Sequence, residues 1–266
     1  MRKFKQSTLL ICFFLAAPAF SASMNTPGQT DGDPYESMVW PTLKKEYLGA
    51  NKVQFDNRVI VSGPEFADDA MSVPIEFDAS ALENEGGGIR NIVVMVDRNP
   101  IRRVLTFEPL HVKPKLSFRF KLEQASPVRV AVQTKDNVWH VGGTLVDASG
   151  GGCTVAGATR SDGSWSRTLN DVSTRYFLSQ NGDNVRLRAR IMHPMDTGLV
   201  SGIPSFHIET LELIDQKNEV WLRLNTFEPV SENPLFSFDL PGNSPVNALR
   251  LVGRDNNGNL INSNKK

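Results

Sequence analysis

Apolar and polar residues alternate along much of this chain with a period of two. Val128, Val130 and Val132 fall on one face with Arg129 and Gln133 opposite, and Val185, Leu187, Ala189 and Ile191 oppose Arg186, Arg188 and Arg190. Such alternation predicts strands with one buried and one wet face. Further strands are predicted at Val73 to Phe77, Ile92 to Val96, Val138 to Val146, His207 to Ile214 and Val220 to Leu224. Pro74 points to an edge position for the first of these. Turn signals at Asp136-Asn137 and Asp255-Asn256-Asn257-Gly258 separate or close hairpins. Only Pro34 to Leu48, with Met38, Leu43 and Tyr47 near helical spacing and Pro41 interrupting them, predicts a helix, short and broken. The expected class is all-β.

An internal repeat sharpens this. TFEPLHVKPKLSF, from Thr106 to Phe118, aligns without a gap on TFEPVSENPLFSF, from Thr226 to Phe238, with seven identities. The apolar positions Leu116, Phe118 and Phe120 then match Phe236, Phe238 and Leu240. Two copies a domain's length apart predict two immunoglobulin-like β-sandwiches in tandem, residues 35–148 and 184–263. Residues 149–183 between them, rich in Gly, Ser, Thr and Asn, read as a long linker.

The N-terminus reads as a cleavable secretion signal over residues 1–21: Arg2, Lys3 and Lys5 precede an apolar run from Leu9 to Ala17 that is too short to span a bilayer. Cutting after Ser21 starts the mature chain at Ala22 and removes Cys12 with the leader. Lys+Arg and Asp+Glu balance at 29 each, with no basic block, which argues against a nucleic-acid partner. No other apolar stretch approaches membrane length, so no membrane insertion is expected after cleavage.

The mature chain then holds one cysteine, Cys153, and no internal disulfide can form. Its thiol is buried and inert, paired outside the chain, or chemically used. Gly150, Gly151 and Gly152 precede it, so the backbone there carries no side-chain bulk and is expected to act as a flexible arm with an accessible thiol. No Cys-x-x-Cys or local His activates it, and Arg160 is the nearest cation in sequence.

Other candidates have simpler readings. His193-Pro194-Met195-Asp196-Thr197-Gly198 lacks a second His or Cys at ligand spacing and suits a turn ending the Arg-rich strand. Glu85-Gly86-Gly87-Gly88 lacks the Lys-Ser/Thr of a phosphate loop, and Asp255 to Gly258 lacks a closing acidic ligand for calcium. Glu108 and Glu228 are explained by duplication of one corner. No catalytic set, metal site or cofactor motif is found, and the chain is not expected to be an enzyme.

DPYESMVWPTLKKEYLG, VPIEFDAS, IRNIVVMVDRNP and the terminal GGGC together resemble SoxY, the thiol-bearing sulfur carrier of periplasmic thiosulfate oxidation. VRLRARIMHPMDTGL, the NP of SENP and the GRDNNG turn resemble its partner SoxZ. The fused arrangement resembles SoxYZ-like carriers associated with quinoprotein dehydrogenases. The resemblance implies a periplasmic carrier whose cargo, a sulfur group in the family, is bound covalently to Cys153. It implies partners among Sox-type enzymes or quinoprotein dehydrogenase and cytochrome components, with His193, Pro194 and Met195 shaping an interface. Thr154, Val155 and Ala156 stand where the family has glycine after the cysteine. A noncovalent adaptor for a quinoprotein system, with Cys153 incidental, is the alternative.

Overall fold

The computed structural model describes residues 30–163 and 165–264. The leader expected over residues 1–21, with Cys12, lies outside the described residues.

The first half carries nine strands: β1 (Val53–Phe55), β2 (Ile60–Ser62), β3 (Phe66–Ala67), β4 (Val73–Asp78), β5 (Ile89–Val96), β6 (Arg103–Pro109), β7 (Lys115–Phe120), β8 (Ser126–Thr134) and β9 (Trp139–Ala148). The second carries seven: β10 (Val172–Leu178), β11 (Asn184–Ile191), β12 (Ile208–Ile214), β13 (Val220–Thr226), β14 (Leu235–Pro241), β15 (Arg250–Asp255) and β16 (Leu260–Asn262). The helices are single turns: α1 (Trp40–Leu43), running on into a wider π-type turn at Lys44–Leu48, α2 (Ala158–Asp162) and α3 (Trp165–Thr168). The all-β class is therefore as expected, and the one short helix falls where Met38 to Tyr47 predicts it.

Two sheets face each other. The larger has ten strands in the order β1-β9-β8-β5-β6-β13-β12-β15-β16, with β3 added beside β9, and the smaller has six, β10-β11-β14-β7-β4-β2. Each half contributes strands to both layers, so each is a sandwich. The expected separation between them is nevertheless wrong, because the layers join edge to edge: β6 pairs antiparallel with β13 and β7 with β14. The two copies of the repeat form this seam. Each runs from the larger sheet across to the smaller one, and they meet around a pseudo-dyad that pairs Thr106 with Asn225, Leu105 with Thr226, and Ser117 with Ser237. The duplication is thus visible as near-symmetric pairing. It is inexact, since Glu108 lies within β6 and ion-pairs with Arg223, whereas Glu228 lies beyond the end of β13.

One hydrophobic core runs through the seam. Phe107 stands 6.2 Å edge-on from Phe77 of its own half and 6.2 Å from Phe238 of the other. The inward positions of β7 (Leu116, Phe118, Phe120) and β14 (Phe236, Phe238, Leu240) are buried, as the alternation requires.

Three local expectations are corrected. Arg129, predicted on a wet face, is fully buried: residues 33–48 lie over that face of β8, where the guanidinium bonds Asp97 (2.7 and 2.9 Å) and Asp33 (2.5 and 2.7 Å) between the rings of Tyr35 and Trp40. Strand β4 is internal, but β2 pairs only with Glu76 to Asp78, so Pro74 has no ladder partner to deprive on that side. Residues 149–183 are not an unstructured linker. They contain α2, α3 and the whole of β10, which pairs along β11 from Val172↔Ile191 to Leu178↔Val185.

Candidate functional site

Beyond β7 the chain does not leave the fold. The Lys121 amide donates to Pro229 O (2.6 Å) and the Leu122 amide to Ala70 O (2.8 Å), so Lys121 to Glu123 continues the seam with both peptide faces engaged. After β9 the chain returns onto this stretch, where the Gly151 amide donates to Glu123 O (3.0 Å) and the Gly152 amide to Leu122 O (3.2 Å). Glycine is required at residue 152: a Cβ there would stand 2.2 Å from Ala70 O and 2.6 Å from Leu122 O, both rigid backbone atoms. Gly150 and Gly151 turn the chain with φ of 89° and 79°, the left-handed region that costs other residues energy. The flexible arm expected at Gly150, Gly151 and Gly152 is therefore corrected. The absence of side chains is used for close approach.

Cys153 arrives in the seam with 1% of its surface exposed, and it is a free cysteine. Its Sγ lies 3.7 Å from Lys121 O. Its amide donates to Glu123 Oε2 (3.0 Å), while Glu123 Oε1 accepts the Thr154 hydroxyl (3.0 Å). Its carbonyl accepts the Thr197 hydroxyl (2.7 Å) from the second half. Burial, reinforced by the Glu123 carboxylate and opposed by the Lys121 ammonium, pushes the thiol pKa up to about 12. In this arrangement Cys153 is a protonated thiol and a poor nucleophile. The expectation of a thiol outside both cores does not hold.

The turn after β11 wraps the same place. Met195, itself buried and at a φ of 50°, offers its carbonyl to Lys121 Nζ, which also reaches Glu228 O at 3.3 Å. Burial lowers the Lys121 pKa to about 8, against the opposing pull of Cys153, Asp196, Glu232 and Glu228. His193 accepts the Met195 amide at Nδ1 (3.0 Å), and burial pushes its pKa down, leaving a neutral imidazole packed 4.4 Å from Phe206. Thus Met195 meets the first half through Lys121, while His193 holds Met195 from within the second half. No group of three or more His, Cys, Asp or Glu side chains that could hold a metal ion occurs among the described residues.

Past the cysteine the chain is clasped again. Glu232 accepts the Thr159 amide (3.2 Å) and hydroxyl (2.9 Å), and Arg160 pairs with Asp196 while lying 4.4 Å over the Trp165 ring. Lys121, Glu123 and Glu232 are not singled out by the sequence, and Thr197 reads there only as part of a turn, because nothing along the chain brings them beside residues 153 to 159. The GRDNNG turn is a plain hairpin between β15 and β16, with Asp255 Oδ1 accepting the amides of Asn257 and Asn259.

Two fused sandwiches hold one cysteine at their joint, and comparison with known families gives the class of protein. The family model for "Sulfur oxidation protein SoxY" matches residues 44–153, ending on the cysteine, and that for "Sulphur oxidation protein SoxZ" matches residues 177–266. The chain belongs to these families as a SoxYZ-like fusion, a sulfur-oxidation carrier protein. It is also similar to a solved structure, the sulfur carrier protein SoxY from Chlorobium limicola f thiosulfatophilum, at 20% identity and a TM-score of 0.36, covering 42% of this chain and 96% of that one. No curated protein matches the chain.

Proposed function

We propose that this chain is a covalent carrier whose attachment point is Cys153, working in the periplasm after removal of its leader and leaving catalysis to visiting enzymes. The observation that carries this reading is the coincidence of three things at one residue: the end of the SoxY match, the only free thiol among the described residues, and the joint between the two halves. The cargo is a sulfur group bound through a disulfide or persulfide linkage, the bond a single thiol can both form and release. The partners are periplasmic redox enzymes, of Sox type or from a quinoprotein dehydrogenase and cytochrome system, a reading supported by the sequence resemblance.

A second reading, the noncovalent adaptor, draws support from the burial of Cys153 and the upward pKa shift of its thiol. Intact mass of the protein isolated from its native host without reductant separates the two. The carrier reading expects an adduct that dithiothreitol removes and that Cys153→Ser never shows, with loss of the dependent oxidation in cells. A single unmodified mass, together with full activity of Cys153→Ser, would establish the adaptor instead.

A further inference from the structure

We propose that Glu123 and Thr197 are positioning residues of a two-sided latch. They hold Cys153 withdrawn, and the thiol is delivered by a short excursion of the segment from Gly150 to Gly157. The inference deepens the carrier reading and takes its functional meaning from it.

The two peptide groups of Cys153 are gripped from opposite halves. Glu123, on the continuation of β7, takes its amide and the neighbouring Thr154 hydroxyl at 3.0 Å each, and Thr197, on the turn after β11, donates to its carbonyl at 2.7 Å. Carboxylate-accepted bonds are the stronger kind, so Glu123 is the main fastening and Thr197 the one that requires the second half to be in place. Both ends of the segment are marked. Upstream, Gly150 and Gly151 occupy left-handed backbone that can re-aim the chain. Downstream, Gly157 lies so close to Glu232 that a Cβ would stand 2.3 Å from its Oε2, and Glu232 then secures Thr159. Between these points Val155 is 55% exposed.

The excursion is limited by its tether. Cys153 is three residues from Gly150, which at ~3.4 Å per residue lets it travel about 10 Å from that hinge. A partner must therefore bring its reacting centre to the seam and receive the thiol in a shallow cleft. The chain cannot thread a long channel. A partner docked across the seam would compete directly for Glu123 and Thr197, so opening and recognition would be one event.

The test is the rate of maleimide labelling of the native, reduced full chain. Removing one fastening should raise the opened population about tenfold, and removing both about a hundredfold, as expected for one neutral hydrogen bond at Thr197 and for exchanging two carboxylate-accepted bonds for weaker amide-accepted ones at Glu123. Glu123→Gln and Thr197→Val each should label about tenfold faster than the parent and together about a hundredfold faster, each with a urea midpoint lowered no more than that of a core variant. Thr197→Ser, which keeps the hydroxyl, should label at the parental rate. Val94→Ala, a core variant distant in sequence, should lower the midpoint without matching that acceleration. Equal labelling of parent and latch variants, or labelling that simply follows global stability across the set, would overturn the latch. Acceleration with no cargo adduct on native protein would keep the latch and remove the carrier reading instead.

Discussion

Gly152→Ala is the sharpest perturbation of the cysteine's seat. The added methyl would stand 2.2 Å from Ala70 O, 2.6 Å from Leu122 O and 2.8 Å from the Ala70 carbonyl carbon. Ordinary contact begins near 3.4 Å, so the segment must retreat by about 1 Å, since the Ala70 carbonyl is held by the Leu122 amide. That retreat strains the Gly152 amide bond to Leu122 O, already 3.2 Å, and the Cys153 amide bond to Glu123. Overpacking of this kind costs about 1 to 3 kcal/mol. Because the strain falls on the docked segment, the population with Cys153 undocked should rise by roughly 5- to 150-fold. Native maleimide labelling reads this directly, and the parent should be strongly protected. Gly151→Ala provides the contrast, since its Cβ would meet nothing nearer than Val155 Cγ2 at 3.7 Å and only the left-handed φ opposes it. If Gly152→Ala protects its thiol as well as the parent while remaining equally stable, the close approach of the glycine is not what seats the cysteine, and the reasoning fails.

Arg129→Met should destabilise the protein by about 3 to 5 kcal/mol, because it strands the buried carboxylates of Asp33 and Asp97; a change below about 1 kcal/mol in urea unfolding would show that the pair is not effectively buried. Lys121 titrates near 8 in the fold against an ordinary 10.5, so between those values the unfolded chain binds more protons and stability rises with pH. From pH 7.5 to 9 the parent should gain about 1 kcal/mol that Lys121→Met lacks, and parallel curves for the two proteins would refute it.

Much of the fold was legible in the chain. Period-two alternation located β8 and β11, because a strand with one face in a core must write that face into every second residue. The repeat from Thr106 and from Thr226 announced the duplication. It could not say that the copies would pair with each other, since strand partners are chosen by edges that meet in space. Strand β10 shows Val172, Thr174 and Tyr176 at spacing two, but as an edge strand paired only with β11 it buries none of them fully, so its alternation is weak.

The cysteine marks where sequence stops. Three glycines before Cys153 are equally compatible with a loose arm and with a backbone pressed against another backbone, because both follow from having no Cβ. The chain by itself determined that this stretch lacks bulk and bears the one thiol left once the expected leader is removed. Only the tertiary structure decided between freedom and docking. It did so by placing the carbonyls of Ala70 and Leu122, the carboxylate of Glu123 and the hydroxyl of Thr197 around residues 152 and 153, contacts made across as many as 82 positions of sequence, between residues 70 and 152.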